Sequence, residues 1–365
     1  MERQDRQAVG TAALNAPTTP IATDALVIGA GPAGLFLAFQ LGLLEIRCHI
    51  VDSLPAAGGQ CIALYPDKPI YDIPAITACT GRELTERLLA QVRPMAPVFH
   101  LSQQVSRLSA TTDGCFEVDT TTGTRFLARS VFIAGGVGSF VPRQLALDGL
   151  AQHAGRQVLH SGDAIPATAG QHVIVLGDDS VALETVLALS AQDVGRPASV
   201  TLMHRRDAFK AEAPLVEQMR AACAAGRMQF IAGQAVGFET QGDRLTQLHI
   251  CHADGHTATL PADLLLVLWG LSPKLGPIAE WGLQIERKQL VVDSEKFETS
   301  IPGIYAIGDV NTYPGKKRLI VCGFHEATMA AYAAAARLRP EHPIQLQYTT
   351  TSSRLHQLLG VTPSG

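Results

Sequence analysis

The sequence predicts an α/β fold made of two Rossmann-like dinucleotide-binding halves, the second inserted into the first. Three observations carry this. A strand, a Gly-rich turn, a helix, a second strand and an acid follow one another from about residue 24. The same succession restarts near residue 171, a weak internal repeat. A further strand, Gly303–Asp309, ends in another Gly-Asp turn far downstream.

Composition bounds the reading. The 365 residues suggest about two domains at roughly 150 residues each. Apolar residues make up 47% and charged residues 17%, enough for a buried core and too apolar for a disordered chain. The net charge of -4 argues against a nucleic-acid binder. No apolar run reaches the roughly 18 residues of a membrane-spanning helix. Seven cysteines (48, 61, 79, 115, 223, 251 and 322) are scattered, with no CxxC pair. A disulfide scaffold and a zinc ribbon are both disfavoured, and most of these thiols are expected to be small buried hydrophobes. Residues 1–23 are polar and lack an apolar h-region, which predicts a flexible tail on a cytoplasmic protein.

In the first half, Ala25–Ile28 is the first strand, Leu35–Leu44 the helix and Cys48–Val51 the next strand, ending at Asp52. Residues 53–74 form a long loop, a length that usually marks function. Glu83–Val92 is helical. Hairpins are expected between Val105 and Arg129, broken at Asp113-Gly114 and Thr122-Gly123, before a separate strand at Ser130–Ala134. In the second half, His172–Leu176 is a strand, Gly177 a turn, Val181–Leu189 a helix and Ser199–Met203 a strand. Gly237–Leu260 reads as hairpins and Asp263–Leu268 as a strand. An Ala-rich helix spans about Gly323–Leu338.

The first turn is a dinucleotide fingerprint. Gly29 permits the tight turn, Gly31 lets a pyrophosphate approach the backbone, and Gly34 lets helix and strand pack closely. The helix N-terminus offers free N–H groups and partial positive charge to phosphates. Asp52 can accept hydrogen bonds from a ribose hydroxyl. These features do not separate FAD from NAD. Thr299–Val310 resembles the second FAD motif of two-dinucleotide flavoproteins, where the Asp meets the ribityl chain.

A wider resemblance follows. Gly58-Gly59-Gln60, Leu64–Lys68 and Ile70–Pro74 resemble the signature loop of the thioredoxin-reductase-like (type 2) ferredoxin–NADP reductases. Pro273–Leu283 and Tyr348–Thr351 also match, so the similarity runs from about residue 24 to 351. It implies a two-dinucleotide-binding-domain flavoprotein of three-layer β/β/α Rossmann-like halves, an NADP domain inserted into an FAD domain. The implied limits are 24–140 and 292–351 for the FAD domain, 141–291 for the NADP domain, and 352–365 for a C-terminal tail. By matching motif, Asp52 would hold the adenosine ribose, and Gln60 and Tyr65 would contact the flavin, Tyr65 by stacking. Val105 would meet the adenine, Phe140 would line the isoalloxazine, and Asp309 and Thr350 would complete the site. Tyr348 matches the position from which the family covers the other ring face. With an aromatic on each face, one must move to admit nicotinamide, and Gly135, Gly136 and Gly138 are candidate hinge positions near the domain crossing.

The second turn departs from the family pattern. It reads Gly177-Asp178-Asp179-Ser180-Val181-Ala182, with Asp179 where the middle fingerprint glycine belongs. A side chain there obstructs a pyrophosphate and two carboxylates oppose its charge, unless one of them is the helix N-cap. Arg205 and Arg206, which follow the second strand of this half, suit the 2′-phosphate that separates NADP from NAD. No metal site is expected; Cys322–His325 has CxxH spacing without a second pair. Lys316-Lys317-Arg318 is a candidate docking run for an acidic electron carrier.

The resemblance therefore implies an FAD-dependent enzyme, a ferredoxin–NADP reductase, that moves electrons between NADP(H) and ferredoxin or flavodoxin, acting as a homodimer. The missing CxxC fits that expectation, since no dithiol relays electrons to a disulfide. Two rivals remain: a flavin monooxygenase, and a non-catalytic flavin redox sensor with an impaired NADP site.

Overall fold

The computed structural model describes residues 19–361, apart from 163–164, 253 and 342–347. The chain divides into two compact units. One holds the described residues up to Ser139 and from Lys274 onward; the other is Phe140–Pro273.

The first unit is built on a parallel sheet. Its order is Val98–His100, Cys48–Val51, Ile21–Ile28 and Arg125–Ile133, with Ile304–Ala306 beside the last. The central strands are nearly continuous apolar runs and are buried on both faces, as parallel strands under helices must be. Arg125–Ile133 is one strand, where the sequence suggested a break near Arg129. It serves two layers. Its first half pairs antiparallel with Phe116–Thr120, which pairs with Val105–Ala110; its second half pairs with Ile304–Ala306. Arg129 is tolerated inside it because its guanidinium reaches out to Asp24 Oδ1 at 3.0 Å and the Leu338 carbonyl at 2.9 Å.

The helix Pro32–Leu43 packs between Gly81–Val92 and Ile320–Leu338. Gly81–Val92 starts at a capping box: the Glu83 amide donates to Thr80 Oγ1 at 3.1 Å, and the Thr80 amide donates to the Glu83 carboxylate at 2.8 Å. Helices, parallel sheet and antiparallel meander make the three expected layers.

Several boundaries differ from the sequence reading. Residues 1–18 of the expected tail lie outside the described residues, and Ile21–Thr23 already belong to the first strand. The long loop after Asp52 contains the short helix Gln60–Ala63 and the strand Pro69–Ile70. The crossing back to the first unit falls at Pro273/Lys274, earlier than 291/292. The reason is packing: Ile278, Trp281, Leu283 and Leu290 bury in the core of the first unit. Ser353–Leu359, expected as tail, is a helix capped by Ser352 Oγ, with Leu355 buried. Only Cys48 and Cys79 are buried; the other five thiols are half-buried, and all seven are free.

The second unit repeats the plan. Its sheet runs Val158–Leu159, Leu264–Val267, His172–Leu176, Ser199–His204 and Gln229–Gln241 in parallel. Arg244–His252 and Thr257–Pro261 then extend it as an antiparallel meander. The helices Ser180–Ser190 and Ala213–Ala224 share a core with these strands.

Candidate functional site

The first fingerprint divides its three glycines by cause. Gly29 sits at φ +115, and a Cβ there would collide with the Ala134 carbonyl. A Cβ on Gly34 would collide with the Gly29 carbonyl, so the helix can approach the strand only with glycine there. Gly31 is different. Its backbone is ordinary, at φ -73 and ψ -180, and a Cβ would meet only Gly59 Cα, at 3.9 Å. No contact with the described residues requires glycine at 31. Gly31 is the N-cap of Pro32–Leu43 and provides no side-chain hydrogen bond, so the first amides remain open to an anion.

Asp52 follows the second strand and is buried. One carboxylate oxygen accepts the Ala30 amide at 2.6 Å and the other the Leu54 amide at 2.8 Å. Burial pushes this carboxyl above its usual range, and the two amides pull it back. Each oxygen keeps a further lone pair for a hydroxyl. Val105 begins the strand Val105–Ala110 with its side chain buried; nearby, the Gln103 amide donates to the Asp52 carbonyl at 2.9 Å.

The far downstream motif is brought to the same place. A Cβ on Gly308 would lie 3.4 Å from Ala33 Cβ, and one on Gly323 would lie 3.3 Å from it. The start of the first helix therefore sits against both the Gly308-Asp309 turn and the Ala-rich helix. Gln60 lies against the turn after Ala134: a Cβ on Gly136 would stand 2.9 Å from its side-chain amide nitrogen. Burial pushes the Asp309 carboxyl up, opposed by Lys316 and Arg318.

The turn is held by a buried cluster that the sequence reading missed. Glu326 is fully buried. One of its oxygens accepts the Gly308 amide at 2.7 Å and Asn311 Nδ2 at 3.0 Å. The other accepts the Tyr313 hydroxyl at 2.9 Å and pairs closely with Lys316 Nζ. Lys316 Nζ also donates to the Gly308 carbonyl at 2.9 Å. Lys316 is thus an internal cation, not part of a docking run. Arg318 donates to Gln289 Oε1 at 2.9 Å. The available signal was one acid in a run of small apolar residues, ten positions after a lysine.

The aromatics lie in the open. Tyr65 is 50% exposed, with Lys68 Nζ over one face of its ring, 5.2 Å from the centre. Tyr348 is 70% exposed and Thr350 is exposed too, at the turn Thr349–Thr351; their hydrogen bonds are local. Phe140 lies in the strand Ser139–Pro142, and its side chain lies outside the described residues.

The second unit carries the same constellation with altered residues. The Gly29 amide bonds the Val51 carbonyl, and the Gly177 amide bonds the Met203 carbonyl. The Ala134 amide bonds the Ile28 carbonyl, and the Leu268 amide bonds that of Leu176. Ala30 thus corresponds to Asp178, Gly31 to Asp179, and Asp52 to His204. Asp178 is taken up internally: Lys210 Nζ lies 2.9 Å and His204 Nε2 3.6 Å from its carboxylate, and its carbonyl accepts the Lys210 amide at 2.6 Å. Asp179 is the N-cap, accepting the Ala182 amide at 3.1 Å. Arg205 and Arg206 are exposed, and neither guanidinium has a hydrogen-bond or ion-pair partner among the described residues. No cluster able to hold a metal ion occurs among the described residues.

Two dinucleotide folds in one chain, the first joined by a second Gly-Asp motif, define a two-nucleotide oxidoreductase. The chain belongs to the family described as pyridine nucleotide-disulphide oxidoreductase, whose model matches residues 23–337. Within that class it belongs with the ferredoxin–NADP reductases. It is 54% identical over 351 residues to a ferredoxin–NADP reductase of Methylibium petroleiphilum, covering 96% of each chain. It is 53% identical over 342 residues to ferredoxin–NADP reductase 2 of Cupriavidus taiwanensis, covering 94% of this chain and 92% of that one. The fold also matches solved disulfide reductases. A Lactococcus lactis thioredoxin reductase aligns with TM-score 0.56 and 22% identity, over 88% of this chain and all (100%) of that one. A Staphylococcus aureus bacillithiol disulfide reductase aligns with TM-score 0.60 and 16% identity, over 87% and 99%. At these identities the likeness is one of fold.

Proposed function

We propose that this chain is an FAD-dependent ferredoxin–NADP reductase. The observation that carries the reading is Gly31: a glycine that no contact with the described residues demands, at a helix N-terminus that meets Gly308 and Gly323 through Ala33. FAD is the group that would fill this cradle, with its pyrophosphate on the amides after Gly31, its adenosine ribose on Asp52 and its ribityl chain at Asp309. When bound, FAD supplies the exchange between a two-electron nucleotide and a one-electron carrier. Gln60, Tyr65, Val105, Phe140, Thr350 and Tyr348 complete its surroundings in this reading, Tyr65 and Tyr348 by covering the ring. NADP(H) belongs to the second unit, with Arg205 and Arg206 on its 2′-phosphate.

The chain's own part is positioning. Hydride transfer needs no side-chain acid or base, and the sequence holds no CxxC pair to relay electrons to a disulfide, so electrons leave for a one-electron acceptor directly. Ferredoxin or flavodoxin is that acceptor. The homodimer comes with the family resemblance, and a cytoplasmic location is proposed with it. No helix among the described residues is long and apolar enough to cross a membrane.

The test is NADPH-dependent reduction of a purified [2Fe–2S] ferredoxin or a flavodoxin, followed by the carrier's absorbance. Turnover with either supports the reading. Consumption of oxygen coupled to a hydroxylated product, with neither carrier reduced, replaces it with the monooxygenase.

A further inference from the structure

The two units place different residues at one position. Gly31 and Asp179 are both N-caps of the helix that follows the first strand, both with extended backbone, at ψ -180 and 178. Gly31 leaves the helix amides open. Asp179 fills the same place with its own carboxylate, on the Ala182 amide at 3.1 Å. A carboxylate there meets the partial positive charge of the helix end, which a pyrophosphate would otherwise take.

The neighbouring acid does not share this role. Asp178 faces Lys210 and His204, and the Lys210 amide and a backbone bridge from Lys210 to Asp179 tie the two loops together. Asp178 is a local anchor for the loop that bears Arg205 and Arg206. Those two guanidinium groups are exposed and have no partner among the described residues, so they remain open to an anion. The anion-binding capacity of this unit is therefore shifted from the helix end to the arginine loop.

We propose that Asp179 is a specificity-determining residue: it holds the anion place at the helix N-terminus, so that this chain selects its nucleotide through the 2′-phosphate at Arg205 and Arg206. Binding of the pyrophosphate displaces the Asp179 carboxylate from the Ala182 amide and meets its charge, so that end of the nucleotide adds little affinity. A dinucleotide without a 2′-phosphate has neither contact. The inference rests on the reading of the second unit as the NADP(H) unit.

Two ligands separate the ends. Adenosine 2′-monophosphate carries the 2′-phosphate without a pyrophosphate, and NADP+ carries both. Isothermal titration of the FAD-loaded protein with each ligand is compared for wild type, Asp179→Gly and Asp179→Asn. Asp179→Gly clears the place but removes the cap; Asp179→Asn keeps a neutral cap and guards against loss of the helix. The expected result is about tenfold tighter NADP+ binding in Asp179→Gly and a smaller gain in Asp179→Asn, both shrinking at high salt. Affinity for adenosine 2′-monophosphate stays unchanged in both. Unchanged or weaker NADP+ binding in both variants, with adenosine 2′-monophosphate still bound, overturns the inference alone. Failure of wild type to bind either ligand overturns the underlying reading with it.

Discussion

The Glu326 carboxylate accepts the Gly308 amide at 2.7 Å, so the helix Ile320–Leu338 holds the Gly308-Asp309 turn from behind. The acid and its partner Lys316 are both buried, at 0% and 7% side-chain exposure. Removing one partner of such a pair leaves an uncompensated charge, which costs about 3–5 kcal/mol. Glu326→Gln is expected to lower the thermal midpoint of the FAD-loaded protein and to weaken FAD retention, read as free flavin after gel filtration. Lys316→Met is expected to act in the same direction. A Glu326→Gln protein with unchanged midpoint and flavin content would show that the turn does not depend on the cluster.

Gly31 and Gly34 make a paired test of what each glycine is for. Gly31→Ala should leave the unliganded fold near wild-type stability, because its φ of -73 suits alanine and the new methyl meets only Gly59 Cα at 3.9 Å. FAD affinity should fall at least tenfold, since the methyl stands where the pyrophosphate approaches. Gly34→Ala should instead unfold or strongly destabilise the first unit, because its methyl runs into the Gly29 carbonyl. Circular-dichroism melting and flavin titration read the two effects separately.

His49 and His100, on neighbouring parallel strands, face each other with Nδ1 and Nε2 2.9 Å apart. Burial lowers the pKa of both from the ordinary 6.5, and the mutual charge lowers His49 further. The unfolded chain therefore binds more protons than the folded one just below that value. Stability from this pair is complete above about 6.5 and is lost as pH falls through the lowered folded values. Denaturation midpoints of wild type should drop between pH 7 and 5, and the double variant His49→Gln, His100→Gln should flatten that part of the curve. An unchanged slope in the double variant would assign the acid sensitivity elsewhere.

What the sequence disclosed and what it hid have physical causes. The first strand–turn–helix start was legible because Gly29 and Gly34 are demanded by φ and by close packing, which leave a fixed spacing. The hairpins after Val105 were legible from Gly114 and Gly123, both at positive φ. The later domain crossing was not: Ile278, Trp281 and Leu283 bury through a 3₁₀ turn and loop that have no helix or strand period. Lys316 looked like a surface charge because its partner Glu326 comes ten residues later, across a turn. The sequence placed Asp179 at the middle fingerprint glycine but counted Asp178 and Asp179 alike as opposing charges. Their difference is tertiary, since only the return of Lys210 to the turn neutralises Asp178.

The most direct test of the whole account is anaerobic stopped-flow absorbance of the FAD-loaded protein mixed with NADPH or with NADH. Fast bleaching of the flavin band is expected with NADPH, and bleaching at least tenfold slower with NADH. That preference should largely vanish when Arg205 and Arg206 are both replaced by alanine. No bleaching by either nucleotide, with FAD still bound, would contradict it and favour a flavin protein that senses rather than transfers electrons.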